Sequence, residues 1–145
     1  MDINTFNSSG RKIVEVAVGV LKNNIGSVLL AQRPEGKPYE GYWEFPGGKL
    51  EIGETVFDAL YRELLEEIDI QILNADKFMV IEHDYPHAYV RLHVCLVTQW
   101  QGEPKGLENQ SLAWLDSVNL ENISQINLQP ILAATIPILE KLKTL

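Results

Sequence analysis

Residues 48–70 read GKLEIGETVFDALYRELLEEIDI. This stretch places many carboxylates beside a glycine turn with little basic compensation; its five glutamates are Glu51, Glu54, Glu63, Glu66 and Glu67. Carboxylates this close together repel one another, and the repulsion grows when they are desolvated. Because a bound cation would reverse that repulsion, we interpret the stretch as a metal site.

The second half of this stretch is predicted to be a helix. Residues 55–68 contain neither Gly nor Pro, and their large apolar residues recur at helical spacing: Phe57, Leu60, Tyr61, Leu64, Leu65 and Ile68. At about 100° per residue, Glu63, Glu66 and Glu67 fall within roughly one third of the helix circumference. Oxygen ligands with no Cys or His nearby favour Mg²⁺ or Mn²⁺ over Zn²⁺.

A glutamate-rich helix is more often a solvated face than a metal site. Two features favour the metal site here. The opposite helix face is already apolar, and the stretch follows the sequence EFPGG at residues 44–48, which predicts a strand ending in a tight turn. Paired glycines let the backbone approach a ligand closely and leave its carbonyls free to coordinate.

The same residues fit a known motif. The pattern is G-x5-E-x7-R-E-U-x-E-E-x-G-U, where U is bulky and apolar, and it is matched by Gly48, Glu54, Arg62, Glu63, Leu64, Glu66, Glu67 and Ile70. The chain therefore resembles the Nudix hydrolases. One position departs, because Asp69 stands where the motif has its late glycine. We expect Asp69 to end the helix in a left-handed conformation, at a local cost and without loss of activity.

The resemblance extends beyond this motif. The segments AVGV at 17–20, WEFPGG at 43–48 and GEP at 102–104 look like the MutT branch, which hydrolyses oxidised nucleoside triphosphates such as 8-oxo-dGTP. The resemblance implies an α/β fold, a Nudix-type α/β/α sandwich with a central mixed β-sheet. We expect one domain over residues 11–145, preceded by a flexible leader of residues 1–10.

The resemblance also implies a ligand set for Mg²⁺, or for Mn²⁺ in its place. The ligands would be the Gly47 carbonyl and the carboxylates of Glu63, Glu66, Glu67 and the loop residue Glu108. Glu63 is the candidate general base, with Glu66 or Glu108 as alternatives. Arg62 and Glu54 are interpreted as an ion pair that orients the helix and the preceding loop.

The implied reaction is attack of water on the β-phosphorus of a nucleoside triphosphate, giving a monophosphate and pyrophosphate. Lys49 beside the glycine turn is a phosphate contact or an ordinary exposed lysine. Arg33 is a nucleotide contact or an exposed strand end. Asn127 matches an asparagine that reads oxidised guanine, and it fits a helix N-cap equally well. An arginine of the MutT pattern is missing at Ala88.

Composition narrows the classes of function. The chain has 145 residues, 46% of them hydrophobic, which suits one domain with a real core. The net charge of -8 argues against stable binding to nucleic acid, which requires a basic surface. The single cysteine, Cys95, excludes an internal disulfide and is expected in the core. No membrane span or signal peptide is recognisable, so we expect a cytoplasmic protein, as a monomer rather than a homo-oligomer.

Two other functions remain open from the sequence. The first is a Nudix hydrolase of ADP-ribose, a dinucleoside polyphosphate or an oxidised pyrimidine triphosphate. The second is a noncatalytic module that binds a nucleotide. Such modules usually lose motif carboxylates, whereas this chain keeps all four: Glu54, Glu63, Glu66 and Glu67.

Apolar patterning predicts the remaining elements. Residues 13–21 and 27–32 are predicted to pair as a hairpin, and residues 34–41 to form a loop. Strands are predicted at 77–83, 89–100 and 111–115. Residues 128–145 are predicted to be helical, with Pro130 in the first turn and a kink or break at Pro137.

Overall fold

The computed structural model of the protein describes residues 5–145. The strands are β1 (Ile13–Leu21), β2 (Val28–Gln32), β3 (Trp43–Glu44), β4 (Gly47–Lys49), β5 (Gln71–Ile72), β6 (Asp76–Asp84), β7 (Tyr89–Val97), β8 (Trp100–Gln101) and β9 (Leu112–Leu115). The helices are α1 (Val56–Ile68) and α2 (Thr135–Leu142). Two short 3-10 helices span Ser117–Glu121 and Ile123–Gln125.

A mixed sheet of four strands, in the order β4-β1-β7-β6, forms the centre of the fold. Strand β1 runs parallel to β7 and antiparallel to β4, while β6 is antiparallel to β7. A second, antiparallel sheet has the order β3-β2-β9, and β5 pairs with β8. The predicted mixed sheet is therefore confirmed.

Two apolar cores lie on opposite faces of β1, because successive side chains of a strand point to opposite sides. Ala17 and Leu21 pack against α1, whose buried residues are Ala59, Leu60, Leu64 and Ile68. Val18 and Val20 face the other core, which contains side chains of β2 and α2. The two helices thus flank the sheets, and this is the predicted α/β/α arrangement.

Local sequence signals fix both ends of α1. Thr55 caps the N-terminus through its side chain, which accepts from the Asp58 backbone N–H, and the Asp58 carboxylate accepts from the Thr55 N–H in return. Asp69 ends the helix in the left-handed conformation, with φ of 60°. The expected left-handed helix end at Asp69 is confirmed, and the retained activity stays a prediction.

The prediction of a β1–β2 hairpin is wrong. The chain does reverse at residues 22–28, where Lys22 and Val28 form an isolated antiparallel bridge. Beyond it the two strands separate, because β1 is flanked by β4 and β7 while β2 is flanked by β3 and β9. The strands predicted near residues 77, 89 and 111 are present as β6, β7 and β9.

The C-terminal helix is shorter than predicted, and the kink at Pro137 is wrong. The helix begins at Thr135, so Pro137 lies in its first turn, where a missing N–H costs no intrahelical hydrogen bond. Residues 128–134 are not helical, and Pro130 follows a cis peptide bond. Apolar spacing alone did not reveal where the helix begins.

Residues 5–12 pass beside the central sheet. Phe6 and Lys12 form an antiparallel bridge, and Arg11 donates to Asp84 and to the Tyr85 carbonyl at the β6–β7 turn. Residues 1–4 of the predicted leader lie outside the described residues, and its flexibility stays a prediction.

Cys95 is buried, as expected. Among the described residues, no helix is long and apolar enough to cross a membrane.

Candidate active site

A cavity of about 600 Å³ lies between the two sheets. One wall is apolar and comes from Val14, Val16 and Val18 of β1 with Val90 and Leu92 of β7. These alternate residues share one face of the sheet because of the period of two in a strand. The remaining walls come from β2, β3 and β4, from both helices and from loops, and they differ in chemistry from one end of the cavity to the other.

One end of the cavity is acidic. Glu63 and Glu67 reach it from α1, and Glu108 reaches it from the loop before β9. Burial, together with the nearby carboxylates of Glu63 and Glu108, raises the pKa of Glu67 well above its usual range. Negative charge on Glu67 is therefore costly, and a cation near these carboxylates would lower that cost.

The glycine turn brings backbone against this acidic end. A Cβ atom on Gly48 would lie 2.2 Å from the Glu63 Cδ atom, so the Glu63 carboxylate occupies the space that any side chain at residue 48 would need. A Cβ atom on Gly47 would lie 2.0 Å from the Ala17 carbonyl oxygen of the neighbouring strand. Only glycine allows both close approaches. The approach at Gly48 brings the turn backbone against the Glu63 carboxylate, and Gly47, whose carbonyl is a predicted ligand, lines the same cavity.

Arg62 connects the helix to the preceding loop. Its guanidinium donates twice to the Glu54 carboxylate, with both N–O distances 2.8 Å, and once to the Lys49 carbonyl at 3.0 Å. It also donates to Glu63 Oε1 at 2.8 Å. These hydrogen bonds lower the pKa of Glu54 to about 2 and raise that of Arg62. The Arg62–Glu54 ion pair inferred from the sequence is therefore present, and it fixes where Glu63 points.

Glu66 is placed differently from the other motif glutamates. Its side chain is exposed, lies 3.6 Å from the Arg62 Nη1 atom and does not line the cavity. Within residues 5–145, no three acidic, histidine or cysteine side chains already converge into a complete cation site. The available donors are nevertheless carboxylate and carbonyl oxygens around a half-buried glutamate. That donor set fits a hard divalent cation such as Mg²⁺.

Cationic side chains line the cavity beyond the acidic end. Lys49, Arg33 and Lys37 all contribute to its lining. Arg33 is held by Glu44, because its Nη1 atom donates to both carboxylate oxygens at 3.0 and 3.1 Å. Burial raises the pKa of Glu44, and the Arg33 charge opposes that rise. The predicted positions of Arg33 and Lys49 are thus compatible with contact to an anionic ligand.

The far end of the cavity is aromatic. Tyr85 and His87 line it from the β6–β7 turn, with their rings stacked and their centroids 5.5 Å apart. The Tyr85 hydroxyl accepts from the Ala134 backbone N–H at 2.8 Å, which joins this turn to the segment before α2. Burial and the charges of Arg33, Lys49 and Arg11 lower the pKa of His87. His87 is therefore favoured as the neutral imidazole.

Asn127 is not brought to this cavity. It is exposed, lies outside the cavity lining, and does not cap α2, whose N-cap residue is Ala134. The N-cap interpretation is wrong, and the proposed base contact rests on resemblance alone.

The sequence analysis missed Glu44, His87 and Gln110, which do line the cavity. Glu44 lies within the quoted segment WEFPGG and Gln110 lies two residues after Glu108, but no local pattern separates them from ordinary polar residues.

Comparison with known proteins establishes the family to which this chain belongs. The model of the NUDIX domain matches residues 17–136, and the chain belongs to the NUDIX domain family. Within that family it is a MutT-like Nudix pyrophosphohydrolase, as the sequence predicts. Nudix hydrolases generally use a divalent metal, which agrees with the donor set at the acidic end of the cavity.

The similar proteins are nucleotide pyrophosphohydrolases. The 8-oxo-dGTP diphosphatase of Haemophilus influenzae is 41% identical over 111 residues, which cover 77% of this chain and 82% of that protein. The CTP pyrophosphohydrolase of Escherichia coli is 34% identical over 129 residues, covering 89% and 90%. A solved MutT structure, from work on Aliivibrio salmonicida and Vibrio cholerae, has a TM-score of 0.74 and 29% identity over 92% of this chain and 98% of that one.

Proposed function

We propose that this protein hydrolyses oxidised nucleoside triphosphates, with 8-oxo-dGTP as the first candidate, to the monophosphate and pyrophosphate. One observation carries the proposal: a single cavity joins an apolar and aromatic end to a carboxylate end. A nucleotide has the same division between its base and its phosphates. The similarity to several 8-oxo-dGTP diphosphatases supports the choice of substrate.

The orientation of the nucleotide follows from the sheet. Val18 pairs with Gly47 at the acidic end, whereas Val14 pairs with Val90 near the aromatic turn. Four residues of strand separate these positions by about 13 Å, which a nucleoside monophosphate can span. The phosphates would therefore lie at the α1 end and the base against β1 and the β6–β7 turn.

The phosphates reach a carboxylate-rich end, so the proposal requires Mg²⁺, for which Mn²⁺ can substitute. The Gly47 carbonyl, Glu63, Glu67 and Glu108 would hold it, and Glu66 would join them after turning away from Arg62. When bound, the cation neutralises phosphate charge, polarises the phosphorus and makes water a better nucleophile. Lys49 and Arg33 then supply positive charge along the same wall.

Glu63 is our proposed general base. Its Oε1 atom already accepts from Arg62, and its carboxylate lies against Gly48, so its position is fixed before substrate binds. Its Oε2 atom is the oxygen that would accept the proton of the attacking water. Glu66 and Glu108 are the alternatives. Arg62 and Glu54 contribute by orienting Glu63 rather than by taking the proton.

A pyrimidine triphosphate is the second candidate substrate. Asn127, the residue expected to read oxidised guanine, lies outside the cavity lining, while the CTP pyrophosphohydrolase matches almost the whole chain. His87 and Tyr85 at the far end could contact either kind of base. The phosphate chemistry is the same for both candidates, so only base selectivity differs.

Steady-state hydrolysis with Mg²⁺ tests the choice of substrate. The panel is 8-oxo-dGTP, dGTP, CTP, 5-hydroxy-CTP, ADP-ribose and a dinucleoside polyphosphate. We expect the highest kcat/KM for 8-oxo-dGTP, with 8-oxo-dGMP and pyrophosphate as products. A higher kcat/KM for CTP or 5-hydroxy-CTP would move the assignment to the pyrimidine candidate, and no hydrolysis of any compound would refute the proposed function.

We also propose that the protein acts as a cytoplasmic monomer on free nucleotides and not on nucleic acid. The net charge of -8 supports this, because nucleic acid binding depends on neutralising phosphates with basic residues. Light scattering coupled to size-exclusion chromatography would test the monomer. Binding of labelled DNA and RNA would test whether the protein avoids nucleic acid. The assay is made at low salt, where electrostatic affinity is greatest.

A further inference from the structure

The loop that carries Glu108 is fastened to the end of α1. Backbone N–H groups of Lys105 and Leu107 donate to the carbonyls of Ile68 and Glu67, both at 2.9 Å. The last carbonyls of a helix have no partner within the helix and need one elsewhere. Residues 105–110 supply these partners, so the loop and the helix end form one unit.

Gln110 adds a side-chain connection to this unit. Its Nε2 atom donates to the Glu67 carbonyl oxygen at 3.1 Å, and its Oε1 atom accepts from the Glu108 backbone N–H at 2.8 Å. One amide therefore bridges the backbones of two residues whose carboxylates both face the acidic end of the cavity. The complementary donor and acceptor of a primary amide are what this bridge requires.

The loop also closes on the backbone of Gln110. A Cβ atom on Gly106 would lie 2.1 Å from the Gln110 carbonyl oxygen, so the loop closes tightly on itself. Asn109 adopts a left-handed conformation, with φ of 61°. Residues 105–109 are exposed and Gln110 is half-buried. Glu108 therefore gains its position from the loop backbone and from Gln110 rather than from packing of its own side chain.

We propose that Gln110 is a positioning residue that sets the Glu108 carboxylate against Glu67, so that the two can share one divalent cation. This inference rests on the proposed metal-dependent function. Residues that orient metal ligands are often nearly as important for affinity as the ligands themselves, and losing one typically weakens binding about 10- to 100-fold.

The test is a cycle of Mn²⁺ binding measurements without substrate. Free Mn²⁺ is followed by electron paramagnetic resonance for the wild type, Gln110→Met, Glu108→Gln and the double variant. Methionine is close to glutamine in size, but it has no donor and its thioether sulfur is only a weak acceptor. We expect each single variant to weaken Mn²⁺ binding by about tenfold. The double variant should bind no more weakly than Glu108→Gln alone, because Gln110 acts through Glu108.

Gln129→Met is the matched control. Gln129 also donates through Nε2 to a backbone carbonyl, that of Ile126 at 3.0 Å, but it does not line the cavity. Its replacement should leave Mn²⁺ binding unchanged. Thermal unfolding in EDTA shows whether each variant folds. If Gln110→Met does not fold, Gln110→Asn replaces it, because asparagine keeps the amide on a side chain one methylene shorter.

The outcomes separate the inference from the proposed function. Wild-type affinity in folded Gln110→Met, while Glu108→Gln binds weakly, would overturn the role of Gln110 alone. Fully additive effects in the double variant would also overturn it, because Gln110 would then act independently of Glu108. A wild-type protein that binds no Mn²⁺ would overturn the metal site of the proposed function itself.

Discussion

The Glu63 carboxylate lies over Gly48 at a separation that excludes any side chain there: a Cβ atom would come within 2.4 Å of its Oε2 atom. This relationship ties the glycine turn to the helix glutamate that we assign as general base. It also explains why glycine is required at this position of β4, the strand before α1. Replacing Gly48 should therefore displace Glu63.

We expect Gly48→Ala to abolish most activity while the protein still folds. The added methyl group pushes Glu63 away from its position, and misplacing a catalytic group by about 1 Å can cost roughly 100-fold in rate. Measured kcat and far-UV circular dichroism would check this. The control is Ser8→Ala, at an exposed position far along the chain from the helix. A Gly48→Ala enzyme with normal kcat would show that Glu63 does not need its observed position.

Glu67→Gln should lower kcat by orders of magnitude without unfolding the protein. The substitution removes a carboxylate that Glu63 and Glu108 repel in the absence of metal, so thermal stability in EDTA should be maintained or improved. The added stability that Mg²⁺ gives the wild type should be lost. Glu121→Gln, at an exposed position, is the control. Retained turnover in Glu67→Gln would remove Glu67 from the metal site.

The Arg62–Glu54 ion pair predicts how the stability of the folded protein changes in acid. The pKa of Glu54 is about 2 in the folded protein and near 4.5 when unfolded, so its contribution to stability is complete above pH 4.5 and fades as the pH falls toward 2. Chemical denaturation of wild type and Glu54→Gln across that range would measure it. We expect the variant to be less stable at pH 7 and the difference to shrink in acid. A difference that is constant with pH would exclude this ion pair as its source.

Arg33→Gln should raise KM more than it lowers kcat. Arg33 contributes positive charge to the cavity wall, and its loss leaves the half-buried Glu44 without its bonded cation. Steady-state kinetics on 8-oxo-dGTP would measure both parameters, with the exposed Lys12→Gln as a control for the change in net charge. An unchanged KM would assign Arg33 a structural role as the partner of Glu44.

The sequence predicted the parts of the site that depend on a single element. Periodicity places Glu63, Glu66 and Glu67 on one side of α1, and EFPGG predicts the turn beside them. Glu63 and Glu67 line the cavity, whereas Glu66 does not. The bridge from Gln110 to Glu67 could not be predicted in this way, because it joins a loop to a helix 43 residues away in sequence. His87 reaches the cavity only through the pairing of β6 with β7.

The misjudged elements have similar causes. The turn after β1 has the composition of a hairpin, but competing partners for β1 and β2 draw the strands into different sheets. Asn127 was assigned by its place in a sequence pattern, while its surroundings depend on how the segment before α2 folds. Local signals therefore specified α1 and its ends, whereas tertiary pairing decided the far side of the cavity.

Hydrolysis of 8-oxo-dGTP in ¹⁸O-labelled water with Mg²⁺ tests the central claim most directly. Mass spectrometry of both products shows which phosphorus receives the water oxygen. Attack at the β-phosphorus, followed by departure of 8-oxo-dGMP, predicts one labelled oxygen in pyrophosphate and none in the monophosphate. Label in 8-oxo-dGMP, or release of inorganic phosphate in place of pyrophosphate, would contradict the account.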